Sequence, residues 1–457
     1  MVRVGEVPSF EPRKCQGTSA VKSEMSSIIS GPGEPLRGVA KVPPDKSISH
    51  RSVIFGAIAD GVTTVSNLLE GEDVLATIAA FRSMGVTIEG PDAGNVIING
   101  VGRNGLEAAG CALNLGNSGT SMRLLSGLLA GQTFGSRLTG DASLQRRPMT
   151  RVVDPLTKMG ARIDAVDGLP PLDIQGPADL HAIEYRLPMA SAQVKSALLL
   201  AGLYASGRTT VIEPTQTRDH TERMLAGFAG ATWAPAAPLK IDSQVVLSGQ
   251  VLAIPGDISS AAFLLVAATL RQNSDVLLPG VGVNPTRSAV LEILRLMGAD
   301  IEISQERQES SELVCDIRVR SAALQGIDVP PEFVANAIDE FPVIAIAAAG
   351  ASGITRIRAA SELRVKESDR IAAMVQGLTQ LGIDTVEYPD GMDIRGGHFT
   401  SGSVDSFGDH RIAMAFAMAG CIAAGPVEIS DANNVRTSFP NFVSLMNSVG
   451  LNLEECP

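Results

Sequence analysis

Apolar positions along the chain recur in two interleaved patterns. The first is a helix-ending run, Leu-x-x-Met-Gly-Ala in its fullest form, followed at once by an alternating apolar stretch. It appears as FRSMGVTIE around Gly85, LTKMGARID around Gly160 and LAGFAGATW around Gly230. It returns as LRLMGADIE around Gly298, LTQLGIDTV around Gly382 and MNSVGLNLE around Gly450. A glycine in that place predicts a left-handed residue closing a helix, and the alternation behind it predicts a strand.

The second pattern is a polar cluster that opens a helix of small apolar residues. Its members are DKSISHRSVIFGAIA, GNSGTSMRLLSGLLA, ASAQVKSALLLAGLYA, GDISSAAFLLVAATL, IDEFPVIAIAAAG and GDHRIAMAFAMAG. Short β-branched runs follow, such as GVTTVSNLL and GRTTVIEPT. The two patterns alternate every ~70 residues, a period too long for a tetratricopeptide or leucine-rich solenoid. They predict six α/β units, grouped three and three into two similar halves. The lead-ins match as well: LRGVAKVPPDKSIS resembles LSGQVLAIPGDISS. If both are crossover strands, one domain is 45–254 and the other is 31–44 plus 255–457.

Composition narrows the class. Hydrophobic residues make up 45% of the 457 positions but aromatics only 4%, so Ala, Val, Ile and Leu must build the core. The 37 Lys+Arg against 49 Asp+Glu leave a net charge of −12, which argues against sequence-independent DNA binding. No apolar stretch reaches the ~18 residues that a membrane span needs. The five cysteines are far apart and form no CxxC, so neither a disulfide framework nor a cysteine zinc site is expected. The five histidines form no HExxH. Residues 1–30 include Glu6, Glu11 and Glu24 and no apolar run, and are expected to be a disordered tail rather than a signal peptide. A cytoplasmic protein is expected, with no nucleic-acid or membrane partner.

The helix openings carry the chemistry. Free backbone N–H groups and the positive dipole end bind anions there, although Ser, Asp and Asn also cap helices routinely. In DKSISHR, GNSGTSMR and GDHRIAMA a Lys or Arg falls in the first turns, where a cation opposes the dipole unless an anion is bound. QRRPMTR, TRDHTER and RVKESDR add further cations beside acids. Small ligands carrying several negative charges are the class this predicts. Among the acids, Asp339 opens an apolar helix and Glu367 lies between Lys366 and Asp369. The GxGxxG of Gly100, Gly102 and Gly105 lacks the long helix of a dinucleotide site and reads as a hairpin loop.

Taken together, DKSISHR, LGNSGTSMR, GDASLQRRPM, SAQVKSALLLAGL, RVKESDR, DHRIAMAF and TSFPNF, in this order from about residue 34 to 450, resemble the 5-enolpyruvylshikimate-3-phosphate synthases. The resemblance implies an α/β fold of two inverse α/β barrel domains, each of three βαβαββ-type repeats. It implies transfer of the enolpyruvyl group of phosphoenolpyruvate to the 5-hydroxyl of shikimate 3-phosphate with release of phosphate, on the shikimate pathway to chorismate and the aromatic amino acids. It implies no cofactor or metal, and a monomer is expected. Lys46, Ser47, Arg51, Ser191, Ala192, Gln193, Arg218, Asp339 and Lys366 would hold shikimate 3-phosphate. Lys46, Gly119, Arg147, Gln193, Arg370 and Arg411 would hold phosphoenolpyruvate. Asp339, Glu367 and Lys46 would be catalytic, with a partly neutral Glu367 suited to protonating carbon.

Departures from the pattern matter. Arg436 stands where many members carry Lys, and Ala192 replaces a Ser. The same-fold alternative, UDP-N-acetylglucosamine enolpyruvyltransferase, typically opens with Lys-Asn and uses a loop Cys; here Lys46 is followed by Ser47. The family is the target of glyphosate. SAQVK (191–195), RDHTE (218–222) and NPTR (284–287) resemble its tolerant class II, while PDKS (44–47) departs from the fourth class II signature. Gly119 lacks the extra methyl of strongly tolerant members, so intermediate tolerance is expected.

Overall fold

The computed structural model describes residues 27–231 and 238–457. All six glycines that end the Met-Gly pattern adopt positive φ, from 67° at Gly230 to 116° at Gly450. Strands Thr87–Asp92, Arg162–Val166, Asp300–Glu309, Asp384–Tyr388 and Asn452–Cys456 follow five of them closely. The strand expected directly after Gly230 falls on 232–237, outside the described residues.

Among the described residues, six sheets of three or four strands form around two cores. One core gathers buried side chains from Ile48 to Ile254, and the other joins Ile28, Leu36, Ala40 and Val42 to those from Ile258 to Leu453. Each core is built on three helices of the second pattern. Ile258–Leu270 is buried along almost all its length and Phe341–Ala349 along all of it, as helices apolar on every face must be. The sheets wrap outside them, which is the inverse of an ordinary barrel. Packing among these helices is close. A Cβ on Gly127, in helix Gly119–Ala130, would stand 2.1 Å from the carbonyl oxygen of Ala197 in helix Ala192–Gly202, so only glycine fits.

The lead-in strands cross between the cores. Val251–Ala253 pairs in parallel with Asp60–Ser66, and Arg37–Val39 pairs in parallel with Asp275–Gly282. Where they exchange, Asp45 N–H donates to Pro255 O and Asp257 N–H to Pro43 O, both at 2.8 Å. Asp45 then caps helix Lys46–Ile58 by accepting from Ile48 N–H, and Asp257 caps Ile258–Leu270 by accepting from Ser259 N–H.

Three expectations need correction. Residues 1–26 lie outside the described residues, but 27–30 are no tail: Ser27–Gly31 is a strand between Val427–Ser430 and Asn452–Cys456. Its apolar run, too short to signal alone, is fixed by the two strands it joins. The glycines at 100–105 form no hairpin. Gly100 lies within strand Asn95–Val101, and Gly102 and Gly105 form a turn after it, from which the chain passes to the strand Leu113–Asn114 of the next sheet. Cys315 and Cys421 are free thiols, whereas Cys111 is disulfide-bonded.

Candidate active site

The polar openings of the buried helices from both cores converge on one cavity of about 500 Å³. Lys46 and Ser47 reach it from the first such helix, Gly119 from the second, and Ser191, Ala192 and Gln193 from the third. From the other core come Asp339, Lys366, Glu367, Arg370 and Arg411, with Arg147 and Arg218 from loops of the first. Every sequence-predicted site residue but one therefore lines this cavity. The exception is Arg51. It is buried beneath the wall, with Nε on Thr221 Oγ1 at 2.7 Å, Nη2 on Ser196 Oγ at 2.9 Å and Nη1 on Ser47 O at 3.1 Å. Its guanidinium braces the helix openings here and does not face the cavity.

The caps explain how ordinary helix signals also serve the site. Ser118 Oγ accepts from Ser121 N–H at 3.1 Å and Ser191 Oγ from Val194 N–H at 3.4 Å, so the next residues are turned into the cleft. Asp339 caps nothing. Helix Phe341–Ala349 has no side-chain cap, and the Asp339 carboxylate points among cations instead. Glu367 likewise belongs to no helix face: it lies in the turn before Arg370–Gln380, whose cap is Asp369.

Ion pairs cross the cleft. Arg147 Nη1 is 3.2 Å from Glu367 Oε1, Arg151 Nη1 is 2.8 Å from Glu362 Oε2, and Arg218 Nη2 is bonded to Asp339 Oδ2. Cations of one half thus meet carboxylates of the other, which removes the repulsion that cationic helix starts would otherwise produce. Arg370 is 1% exposed and ties the carboxylates together, reaching Asp409 at 2.8 Å, Glu367 at 2.6 Å and Asp339 at 3.3 Å. Lys46 is paired with Asp73.

These neighbours set the protonation states. Burial alone would raise Glu367, but Arg370 and Arg147 outweigh it and hold the carboxyl well below its ordinary range. Asp339 is half-buried, and Arg218, Lys366, Arg411 and Arg370 likewise outweigh its desolvation and pull it well down. The geometry thus does not produce the partly neutral Glu367 expected from the chemistry; the arginines keep it ionised. Asp73 shifts the other way, because burial outweighs its attraction to Lys46. His410 is driven down to about 3 by burial, with Lys46 adding to the effect, and is neutral.

Sequence reasoning missed several wall residues. Asp73 sits in the acidic first turn of helix Glu72–Ser83, where an acid is explained by the helix dipole alone. Arg123 belongs to the flagged GNSGTSMR cluster and donates to Gln193 Oε1 at 2.7 Å. Burial, with Arg147 nearby, lowers it to about 10. Arg436 lies elsewhere, at the surface, 2.7 Å from Glu455. Among the described residues no group of His, Cys, Asp and Glu could hold a metal ion, and no helix is long and apolar enough to cross a membrane.

The three motifs resembling class II sequences meet outside the cavity's centre. Lys195, fully buried, is 2.7 Å from Glu222 and 3.0 Å from Glu213. Asp219 Oδ1 accepts from Asn284 Nδ2 at 2.6 Å, and His220 Nδ1 is 2.7 Å from Glu312 Oε1. The last two contacts join one core to the other beside Arg218.

Comparison with known proteins follows the same lines. The family profile of EPSP synthase (3-phosphoshikimate 1-carboxyvinyltransferase) matches residues 31–446. A 3-phosphoshikimate 1-carboxyvinyltransferase of Methylococcus capsulatus is 58% identical over 428 residues, 93% of this chain and 98% of its relative. One of Alkalilimnicola ehrlichii is 57% identical over 424 residues, covering 92% and 95%. The solved EPSP synthase of Acinetobacter baumannii superposes with a TM-score of 0.84 at 50% identity, covering 94% of this chain and 99% of that one. With a matching profile over most of its length and relatives this similar, the chain belongs to the EPSP synthase family.

Proposed function

We propose that this cavity transfers the enolpyruvyl group of phosphoenolpyruvate to the 5-hydroxyl of shikimate 3-phosphate and releases phosphate. The observation that carries the reading is the cavity wall itself. Lys46, Gly119, Arg147, Gln193, Arg218, Asp339, Lys366, Glu367, Arg370 and Arg411, far apart in sequence, face one space. In it, nine Lys and Arg side chains meet five carboxylates. A wall with that excess suits two substrates that both carry phosphate and carboxylate groups.

Ser47, Ser191, Ala192, Gln193, Arg218 and Lys366 hold shikimate 3-phosphate, with Lys46 shared between the ligands. Gly119, Arg147, Arg370 and Arg411 hold phosphoenolpyruvate, and Gln193 lies between. Asp339 takes the 5-hydroxyl proton as that oxygen attacks C2. Glu367 or Lys46 delivers a proton to the methylene carbon and removes one from the resulting methyl when phosphate leaves. Arg147 and Arg370 now occupy both oxygens of Glu367. When phosphoenolpyruvate takes those arginines, Glu367 loses what keeps it ionised, and burial raises its affinity for a proton. Substrate binding thereby makes the acid. Arg51 acts from behind Ser47. The two cores correspond to domains 45–254 and 31–44 with 255–457, the latter extended by strand Ser27–Gly31, and the protein acts as a cytoplasmic monomer.

Phosphate release with phosphoenolpyruvate, measured with shikimate 3-phosphate and separately with UDP-N-acetylglucosamine as acceptor, tests this. Release with shikimate 3-phosphate alone is expected. Release only with the nucleotide sugar refutes the acceptor assignment.

A further inference from the structure

Five cations surround Asp339, and one of them differs from the rest. Arg218, Lys366 and Arg411 have side chains 17%, 23% and 13% exposed, and with Arg370 they are the groups assigned above to substrate anions. Arg287, of the NPTR motif, has a side chain 3% exposed, nearly as buried as Arg370 at 1%, but unlike Arg370 it keeps buried donors without a partner. Its Nη2 is fixed by Ser259 Oγ at 2.6 Å and Asp257 Oδ1 at 3.2 Å, at the start of helix Ile258–Leu270. Glu340 Oε1 stands 3.8 Å away. Arg287 cannot turn toward a ligand without abandoning these anchors.

Its remaining donors are unused. Nε and Nη1 are buried without a hydrogen-bond partner, an arrangement that native structures seldom keep. Nη1 is 3.9 Å from Asp339 Oδ2, too far for a hydrogen bond, because Arg218 holds that oxygen. A shift of roughly 1 Å would bring it to bonding distance.

We propose that Arg287 is the positioning residue of Asp339 in the substrate-loaded enzyme, receiving Oδ2 when Arg218 turns to the ligand. The inference rests on the proposed role of Asp339 as acceptor of the hydroxyl proton. Once ligand anions engage Arg218, Lys366, Arg370 and Arg411, those four cations no longer favour an ionised Asp339. The nearby carboxylates Glu340 and Glu367 oppose it. Arg287, whose charge is shared with Asp257 and Glu340 but with no ligand anion, then holds the carboxylate ionised and fixes its direction. Proton transfer itself stays between the hydroxyl oxygen and Asp339.

The test is the pH profile of kcat at saturating phosphoenolpyruvate and shikimate 3-phosphate, for the full-length protein, Arg287→Gln and Arg287→Lys. Removing a cation from beside a carboxylate raises its pKa, so the acid limb of Arg287→Gln should move up by about one pH unit. On that limb kcat should fall about tenfold more than it does on the plateau, while both KM values stay within about threefold. Lysine has one head group and cannot span Ser259 and Asp339 together, so Arg287→Lys should shift the limb less, in the same direction. An unshifted limb in Arg287→Gln, or kcat lowered equally at every pH, overturns the proposal. If circular dichroism shows that Arg287→Gln does not fold, Arg287→Lys decides by the same criterion. The wild type is the control: without its turnover the proposed function fails, whereas an active wild type with an unshifted variant refutes Arg287 alone.

Discussion

Gly119→Ala adds one methyl at the centre of the proposed phosphoenolpyruvate subsite. Gly119 opens helix Gly119–Ala130 behind its cap Ser118, outside the left-handed region, so alanine is tolerated by the backbone and the effect is steric. The new Cβ would lie 2.9 Å from Arg123 Nη1 and 3.2 Å from Arg147 Nη1. Ordinary contact begins near 3.4 Å, so both guanidinium ends must yield by a few tenths of an ångström. Both are tips of long side chains and can do so, which limits the effect on phosphoenolpyruvate to about 1 kcal/mol, or roughly fivefold in KM. Glyphosate is longer and, in the proposed subsite, would fill the space into which the methyl and the displaced tips move. Overpacking there should reach about 2–3 kcal/mol, a rise of roughly 30- to 150-fold in its inhibition constant. Steady-state KM and competitive Ki, measured on one preparation with melting temperature as a control, check the ratio. An equal factor on both constants would show that the methyl does not point at the inhibitor's extra length.

Four further outcomes follow from the same geometry. Lys195→Met strands Glu213 and Glu222 without their cation and should cost about 3–5 kcal/mol in urea unfolding at neutral pH. Burial already raises Glu222 above its unfolded value, and losing Lys195 raises it further. Its deficit should therefore be largest above its folded pKa and shrink as pH falls toward the unfolded one; a pH-independent loss contradicts this. Glu367→Gln should lower kcat by about 10²–10³ while phosphoenolpyruvate binds at least as tightly, because Arg147 and Arg370 are released; weaker binding measured by calorimetry would oppose the exchange. Lys46→Met should abolish turnover and Asp339→Asn should lower kcat more than it raises KM, with far-ultraviolet circular dichroism unchanged; near-normal turnover removes either from the catalytic set. Because Arg151–Glu362 and Arg147–Glu367 bridge the halves and are partly exposed, ~1 M salt should screen them and enlarge the radius of gyration, with both substrates reversing the change; a radius indifferent to salt and substrates argues for rigid halves.

What could be read from the chain is what local rules encode. Gly85, Gly160 and their four counterparts announce helix ends because few other residues accept positive φ there. Ser118, Ser191 and Asp369 announce helix starts because a cap bond spans only three residues. The Arg37 and Val251 lead-ins look alike because they perform the same crossing in opposite directions. Contacts between distant segments leave no such mark. Nothing near Asp73 says that it meets Lys46, and nothing in NPTR says that Arg287 stands behind Asp339. The DKSISHR motif points Arg51 at the ligands, yet Thr221 and Ser196, 170 and 145 residues away, draw it under the wall.

Protonation state is less legible still, because it depends on what the cleft contains. Sequence and chemistry together asked for a partly neutral glutamate, and the structure supplies an ionised one between two arginines. Both are consistent if the cleft's own carboxylates occupy the places of the substrate anions. Glu367 then stands where phosphoenolpyruvate must neutralise Arg147 and Arg370, and Asp339 stands where shikimate 3-phosphate must draw on Arg218. An empty site holding nine cations with no acids beside them would be costly to fold and would bind any phosphate. Carboxylates that both balance those cations and exchange with the correct ligands remove that cost. In the proposed mechanism the exchange would also couple specificity to chemistry: an anion that fails to displace Glu367 from both arginines would leave it ionised and without a proton to give.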